Sequence, residues 1–101
     1  MAFADTLKTL PEIPGEALAL TDAAGAEVAV IANAPGTAGS FRVYGYLAGK
    51  YGAIDAAAAA EGLAIYAEHT EDARANPGKH PNIDRLFSIA AVGMALTATL
   101  R

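Results

Sequence analysis

The two histidines of the chain, His69 and His80, lie in one polar segment that spans residues 68–85. An imidazole titrates near neutral pH, so it can transfer protons, and in its neutral form it can bind a metal ion. His69 and Asp72 are three residues apart, a spacing that places two side chains on the same face of a helix. Two imidazoles and one carboxylate can hold zinc with an open coordination position. His69, Asp72 and His80 are therefore candidate metal ligands; the alternative is that His69 is a half-buried helix residue with a hydrogen bond.

The segment Asn76–Leu86 concentrates residues with special backbone or side-chain chemistry, including two prolines, a glycine and a histidine. Such a loop is either a demanding turn or a functional site. As a site, it offers His80 as a general acid or base, with Asp84 and Arg85 to orient it or to bind an anion. His80, Asp84 and Arg85 are therefore the catalytic candidates. As a turn, its prolines and glycine direct the chain, and Asp84 interacts with Arg85 or with the positive end of the next helix.

A second candidate site is the glycine-containing loop 35–40, which leads from a predicted strand into a predicted helix. A helix N-terminus offers free N–H groups and a positive partial charge, so it can hold a phosphate or a carboxylate. Gly36 and Gly39 would let the backbone approach the anion, Ser40 would cap the helix, and Arg42 could add a bidentate contact. The phosphate-loop motif is absent. The alternative is an ordinary strand-to-helix connection.

Charge and composition exclude several classes of function. The chain has 101 residues, with 7 basic and 11 acidic side chains and a net charge of -4. The basic residues are scattered, whereas nucleic acids and anionic membranes attract clustered ones. The uncharged segment Ser88–Leu100 is too short to span a bilayer. There is no cysteine for a disulfide or a thiolate ligand. We therefore expect a protein that binds neither nucleic acid nor membrane. Met1–Asp5 does not resemble a secretory signal, so we also expect a cytoplasmic protein.

Hydrophobic periodicity and turn residues predict the elements that would position these side chains. Pro81 suits the first position of a helix, and Gly52 and Gly93 suit helix ends. The predicted elements are a helix over Phe3–Leu10, strands over Ala17–Leu20 and Val28–Ile31, a helix from Ser40 to Tyr51, a helix from about 55 to 75, a helix from Pro81 to about 92, and a strand over Met94–Leu100.

The region from 55 to 75 admits two interpretations. Its apolar positions recur at a helical period from Ile54 to Ala73, which favours one helix capped by Asp55 with Gly62 at a close contact. The rival interpretation ends the helix at Gly62 and makes residues 63–67 a strand. The Ala, Glu and Arg content of the following residues favours the helix.

The order αββαααβ predicts a single α+β domain over residues 1–101. A small antiparallel sheet, formed by a hairpin and the C-terminal strand, would pack in two layers against about four helices. The strand Met94–Leu100 would lie at an edge of the sheet, where it could pair with a second subunit. We therefore expect a homodimer.

Four segments resemble a small bacterial family of about one hundred residues that is described only as a domain of unknown function. They are Asn33-Ala-Pro-Gly36, Gly39-Ser-Phe-Arg-Val-Tyr44, Ala67-Glu-His-Thr70 and Pro77-Gly-Lys-His-Pro-Asn-Ile-Asp-Arg-Leu86. The resemblance spans nearly the whole chain. It implies a bacterial single-domain protein, and it supplies no activity and no catalytic residue.

A second resemblance concerns pterin carbinolamine dehydratases, which carry a His-His-Pro motif after a helix and before a strand. Here only His80 and Pro81 match, because Lys79 replaces the first histidine and the downstream catalytic histidine is missing. The resemblance therefore implies pterin-dehydratase chemistry only if other residues complete the site.

The sequence favours a binding or interaction module with a polar surface site around residues 68–85. The alternative is a small enzyme or metal-binding protein that uses His80 and His69, and catalysis itself is left open. No cofactor is expected. A site requires the two histidines to share one pocket. An interaction module requires an exposed apolar patch, for which Tyr44, Tyr46, Tyr51 and the last strand are candidates.

Overall fold

The computed structural model describes residues 2–101, which form a three-stranded antiparallel sheet and five helices. The elements, in chain order, are α1 (Phe3–Thr9), β1 (Ala17–Thr21), β2 (Glu27–Ala32), α2 (Ala38–Tyr51), α3 (Ala56–Tyr66), α4 (Glu68–Ala75), α5 (Pro81–Val92) and β3 (Thr97–Leu100). The strand order is β2-β1-β3. The predicted α+β class is confirmed, with the hairpin and the C-terminal strand in one sheet and with one helix more than expected.

The sheet is built around β1, whose side chains alternate between two faces. Leu18 lies opposite Ile31 on β2 and opposite Leu100 on β3. The β1–β2 turn is closed by Asp22, whose Oδ1 accepts hydrogen bonds from the N–H groups of Ala24 and Ala26, each at 3.0 Å. β3 is shorter than predicted and is preceded by a single bridge between Leu96 and Ile54.

The core lies between the sheet and α2, α3 and α5. Leu18 and Leu20 of β1 are completely buried in this core. The close contact predicted at Gly62 is confirmed, because a Cβ there would lie 2.8 Å from Leu86 Cδ1 and 3.0 Å from Leu47 Cδ1. This position therefore joins three helices. On the other face of the sheet, Val28 and Val30 remain about half exposed.

The single helix predicted from 55 to 75 is interrupted at Ala67. Asp55 caps its first part as predicted, because Oδ1 accepts a hydrogen bond from the Ala58 N–H at 2.9 Å. Ala67 then adopts a positive φ of 50°, which ends α3 and redirects the chain into α4. The Thr70 hydroxyl donates to the Leu63 carbonyl at 2.6 Å, which compensates for the broken helical pattern. The rival prediction of a strand over 63–67 is wrong, because residues 63–66 complete α3.

The predicted cap of α2 is also corrected. The helix begins at Ala38, and Ser40 lies inside its first turn. Thr37 is the residue that precedes the helix, and its hydroxyl donates to the Ala32 carbonyl at 2.7 Å, so it ties the end of β2 to the start of α2. The Ser40 side chain is thereby left for a different partner.

None of the helices formed by residues 2–101 combines the length and apolar character needed to cross a bilayer.

Candidate functional site

A cavity of about 530 Å³ lies where the starts of α2, α4 and α5 meet. Thus the glycine-containing loop and both histidines, which are far apart in the sequence, form one site. The residues that line it are Phe3, Gly36, Thr37, Ala38, Gly39, Ser40, Tyr66, His69, Lys79, His80, Pro81, Asn82 and Ile83.

The α2 side of the cavity presents the first turn of a helix. The N–H of Ala38 is used within the turn, where it donates to the Ala34 carbonyl at 2.8 Å. The N–H groups of Gly39 and Ser40 have no acceptor among residues 2–101. Gly36 makes the preceding turn possible, because its φ of 92° is one that residues with a Cβ rarely adopt. This side can therefore donate hydrogen bonds to a negatively charged group.

The α5 side of the cavity carries His80 and Lys79, which both bind the carboxylate of Asp72 on α4. His80 Nε2 lies 2.6 Å and Lys79 Nζ lies 2.9 Å from Asp72 Oδ2. These two hydrogen bonds, first that of His80 and then that of Lys79, lower the pKa of Asp72 to about 2. Asp72 is therefore a carboxylate throughout the physiological range and keeps the hydrogen on His80 Nε2.

His69 enters the site from the first turn of α4. Its ring meets Phe3 edge to face, with 5.1 Å between the ring centroids, and lies 5.9 Å from the ring of His80. The break at Ala67 determines this position, because α4 has a new direction from that residue onward. The two histidines thus share one pocket, as a joint site requires.

The predicted metal ligands are only partly brought together. Asp72 stands behind His80 and does not line the cavity. Its Oδ2 already binds His80 and Lys79, and its Oδ1 accepts from Asn76 Nδ2 at 3.1 Å. Within residues 2–101, no group of three His, Asp or Glu side chains is arranged to hold a metal ion. The metal site stays a prediction.

The remaining candidates lie outside the cavity lining. Asp84 closes the turn before α5, because its Oδ2 accepts from the Gly78 N–H at 2.9 Å. Arg85 points to the interior and donates to Asn82 Oδ1 at 2.8 Å and to the Tyr44 hydroxyl at 3.2 Å. Arg42 donates through Nε to the Pro11 carbonyl at 3.1 Å and lines a separate, smaller depression. Asp84 and Arg42 thus hold backbone groups, whereas Arg85 holds two side chains.

Tyr44, which was a candidate for an exposed aromatic patch, is completely buried. Its hydroxyl donates to the Asn82 carbonyl at 2.5 Å, and so α2 holds the first turn of α5. Burial raises the pKa of Tyr44 to about 12, so it remains a neutral donor. The prediction that it belongs to an interaction surface is wrong because its ring completes the core between the two helices.

Sequence analysis missed Phe3 and Tyr66 as lining residues, and it gave no ligand contact to Lys79 and Asn82 within the candidate segment Asn76–Leu86. Phe3 stacks on Tyr66, with 5.2 Å between ring centroids and 17° between ring planes. The Tyr66 hydroxyl donates to Ser40 Oγ at 2.7 Å. Lys79 and Asn82 carried a signal, namely their place beside His80 in that segment. The aromatic pair forms between α1 and α3, and the hydrophobic periodicity of neither helix predicts that contact.

The lining contains Lys79, His69 and His80 but no Asp or Glu. This distribution is opposite to that of the whole chain, in which acids outnumber bases by 11 to 7. The nearby Glu68 is also occupied, because its Oε1 accepts from the Phe3 N–H at 2.7 Å, and this backbone hydrogen bond lowers the pKa of Glu68. The lining itself therefore offers a ligand hydrogen-bond donors and no carboxylate, although Asp72 pairs with Lys79 behind it.

Comparisons with known proteins identify a family without a described activity. Neither a curated protein nor a solved structure matches the chain. A family described as an uncharacterized protein conserved in bacteria (DUF2322) matches residues 3–100. Because the match covers nearly the whole chain, the protein belongs to this bacterial family, and the family membership expected from the resemblance is confirmed.

Proposed function

We propose that the protein binds a small anionic molecule in the cavity between α2, α4 and α5. The observation that carries this proposal is the lining, in which Lys79, two histidines and free N–H groups at the start of α2 occur without a carboxylate. A helix N-terminus and cationic side chains both stabilise negative charge. The volume of about 530 Å³ is in the range of small-molecule sites.

The polar groups are held in place by residues behind the cavity, which supports the proposal. Asp72 orients His80, and the buried Tyr44 fixes the backbone of Asn82. Tyr66 similarly holds the hydroxyl of Ser40. A site whose donors are already ordered loses less conformational entropy when it binds.

Isothermal titration calorimetry with inorganic phosphate and with acetate tests the proposal. Lys79→Met removes a cation of the lining, and Lys50→Met is the matched control, because each lysine is exposed and paired with one carboxylate. We expect at least one anion to bind the wild type and to bind Lys79→Met about tenfold more weakly, since charge-assisted contacts contribute roughly 1.5–3 kcal/mol. Absence of binding, or an equal loss in both variants, would overturn the proposal.

A second candidate function is proton transfer by His80. Its Nε2 hydrogen bonds to Asp72 at 2.6 Å, whereas its Nδ1 has no hydrogen-bond partner among residues 2–101. In this arrangement Nδ1 accepts a proton from a bound molecule, the electron pair stays on that molecule, and Asp72 stabilises the imidazolium. Nitrogen-15 NMR of the wild type should show only the Nε2–H tautomer of neutral His80, and Asp72→Asn should give a mixture. A wild-type Nδ1–H tautomer would contradict this function.

We also propose that β3 pairs with β3 of a second copy. By the alternation of antiparallel hydrogen bonds, Leu96, Ala98 and Leu100 direct their N–H and C=O groups away from β1. Those of Leu96 bond to Ile54, and those of Ala98 and Leu100 have no partner among residues 2–101. β3 carries no charged side chain, so two copies can pair about Thr99 without like-charge repulsion.

Light scattering during gel filtration tests the pairing. Ala98→Pro removes an N–H at the free edge and leaves the hydrogen bonds to β1 intact, so we expect it to convert a dimer into a monomer. Thr99→Cys should form a disulfide-linked dimer on mild oxidation, because the two Thr99 residues would be directly opposite. A wild-type monomer at millimolar concentration would overturn the pairing, as would an unaffected Ala98→Pro dimer.

A further inference from the structure

The cavity has two sides of different chemistry. One side presents hydrogen-bond donors, namely the start of α2 together with Lys79. The other side presents the aromatic rings of Phe3 and Tyr66 and the edge of His69. A ligand that uses both sides must combine a charged group with an apolar one.

The donor side offers more donors than a carboxylate can use. Gly39 and Ser40 each provide a free N–H, and the Ser40 hydroxyl, which accepts from Tyr66, still has its own hydrogen to donate. Lys79 completes the set from the opposite side. A carboxylate has two oxygens and one charge, whereas a phosphate monoester has three terminal oxygens and a charge of roughly −1.5 to −2. The number and the charge of the donors therefore fit a phosphate group.

The aromatic side is suited to a flat apolar group. Phe3 is partly exposed at the cavity, whereas Tyr66 behind it is only 3% exposed. Phe3 is held by the stack on Tyr66 and by the hydrogen bond from its N–H to Glu68. A ring placed against a fixed aromatic side chain gains dispersion and quadrupole contacts beyond those of burial alone.

We propose that the ligand is a phosphate monoester of an aromatic or similarly flat apolar group. Its phosphate contacts the Gly39 and Ser40 N–H groups and Lys79, and its ring lies against Phe3. This inference rests on the proposed anion-binding function and adds the ligand class to it.

Calorimetric titrations with inorganic phosphate, phenyl phosphate and benzoate test the ligand class. We expect the wild type to bind phenyl phosphate about tenfold more tightly than inorganic phosphate and also more tightly than benzoate. Phe3→Ala should remove most of the advantage of phenyl phosphate over inorganic phosphate. Phe3→Leu, which keeps apolar packing on Tyr66, should lose part of the advantage. Lys79→Met should weaken binding of both phosphates equally.

The possible failures are distinguishable. If inorganic phosphate binds but phenyl phosphate binds no more tightly, the ligand class is wrong and the anion-binding function remains. If benzoate binds as tightly as phenyl phosphate, the site is a carboxylate site. If Phe3→Ala weakens both phosphates equally, Phe3 has only a structural role and the proposed ring contact is wrong. If no anion binds, the proposed function itself fails.

Discussion

Two carboxylate–lysine clusters on this protein have the same chemistry but different surroundings. In one, Lys50 Nζ lies 2.7 Å from Glu61; in the other, Lys79 Nζ lies 2.9 Å from Asp72. Hydrogen bonds lower the pKa of each acid to about 2: those of Glu61 come first from Lys50 and those of Asp72 first from His80. By the strength of these interactions alone, the two clusters would be indistinguishable.

The difference lies in what each cluster leaves unused. Lys50 contacts the rings of Tyr46 and Tyr51, and the Tyr51 hydroxyl donates to Glu61 at 2.7 Å, so these groups join α2 to α3. Asp72, in contrast, holds a histidine whose second nitrogen is free, and both His80 and Lys79 line a cavity. A perturbed pKa therefore indicates a site only when the partners retain groups that a ligand can reach.

The largest expected difference between the two regions concerns the tyrosines behind them. Tyr44→Phe removes the hydroxyl that bonds the Asn82 carbonyl in the interior, so it should lower the free energy of unfolding by about 1–3 kcal/mol. Tyr51→Phe removes a hydroxyl near the surface and should change stability less. Urea denaturation of both variants measures this difference. Equal effects would show that the α5 start does not depend on Tyr44.

Ligand affinity should separate the clusters next. Lys79→Met removes a cation of the cavity and should weaken binding of phenyl phosphate about tenfold, since a charged hydrogen bond contributes roughly 1.5–3 kcal/mol. Glu61→Gln breaks the other cluster and should leave the affinity unchanged. Calorimetry on both variants decides the matter, provided that circular dichroism shows equal folding. A loss of affinity in Glu61→Gln would mean that the clusters are coupled.

The smallest expected effect is the acid dependence of stability, which should be alike in the two clusters. Both acids have a lowered pKa in the folded state, so each stabilises the protein above its ordinary pKa near 4. That contribution should be lost as the pH falls from about 4 to about 2. The difference in melting temperature between the wild type and either Glu61→Gln or Asp72→Asn should therefore shrink over this range. A difference that grows on acidification would contradict the prediction that these two acids stabilise the protein only in their ionised form.

Local signals predicted much of the fold. The hairpin, the start of α5 at Pro81 and the close contact at Gly62 all follow from periodicity and from the known preferences of proline and glycine. The break at Ala67 did not follow, because alanine favours a helix and the interruption depends on tertiary packing and on the Thr70 hydroxyl. Sequence analysis therefore described one helix where the protein has two.

The candidate site was predictable in its polar residues but not in its walls. The composition of the histidine segment and of the glycine-containing loop singled out His69, His80 and Ser40. Phe3 and Tyr66 were unmarked, because an apolar residue in a core and one in a cavity wall have the same sequence pattern. That the loop and the histidine segment meet is a property of the tertiary fold, since nothing local connects β2 with α5.

The interruption at Ala67 also divides the protein into parts of unequal local stability. α3 buries five residues, whereas α4 buries only Thr70 and Ala73. Segments with few buried contacts open independently of the rest, on a timescale that amide hydrogen exchange reports. The amides of α4 should exchange faster than those of α3, and an anion bound in the cavity that His69 lines should slow them. A ligand in the cavity is therefore expected to slow amide exchange mainly in α4, the helix with the fewer buried residues.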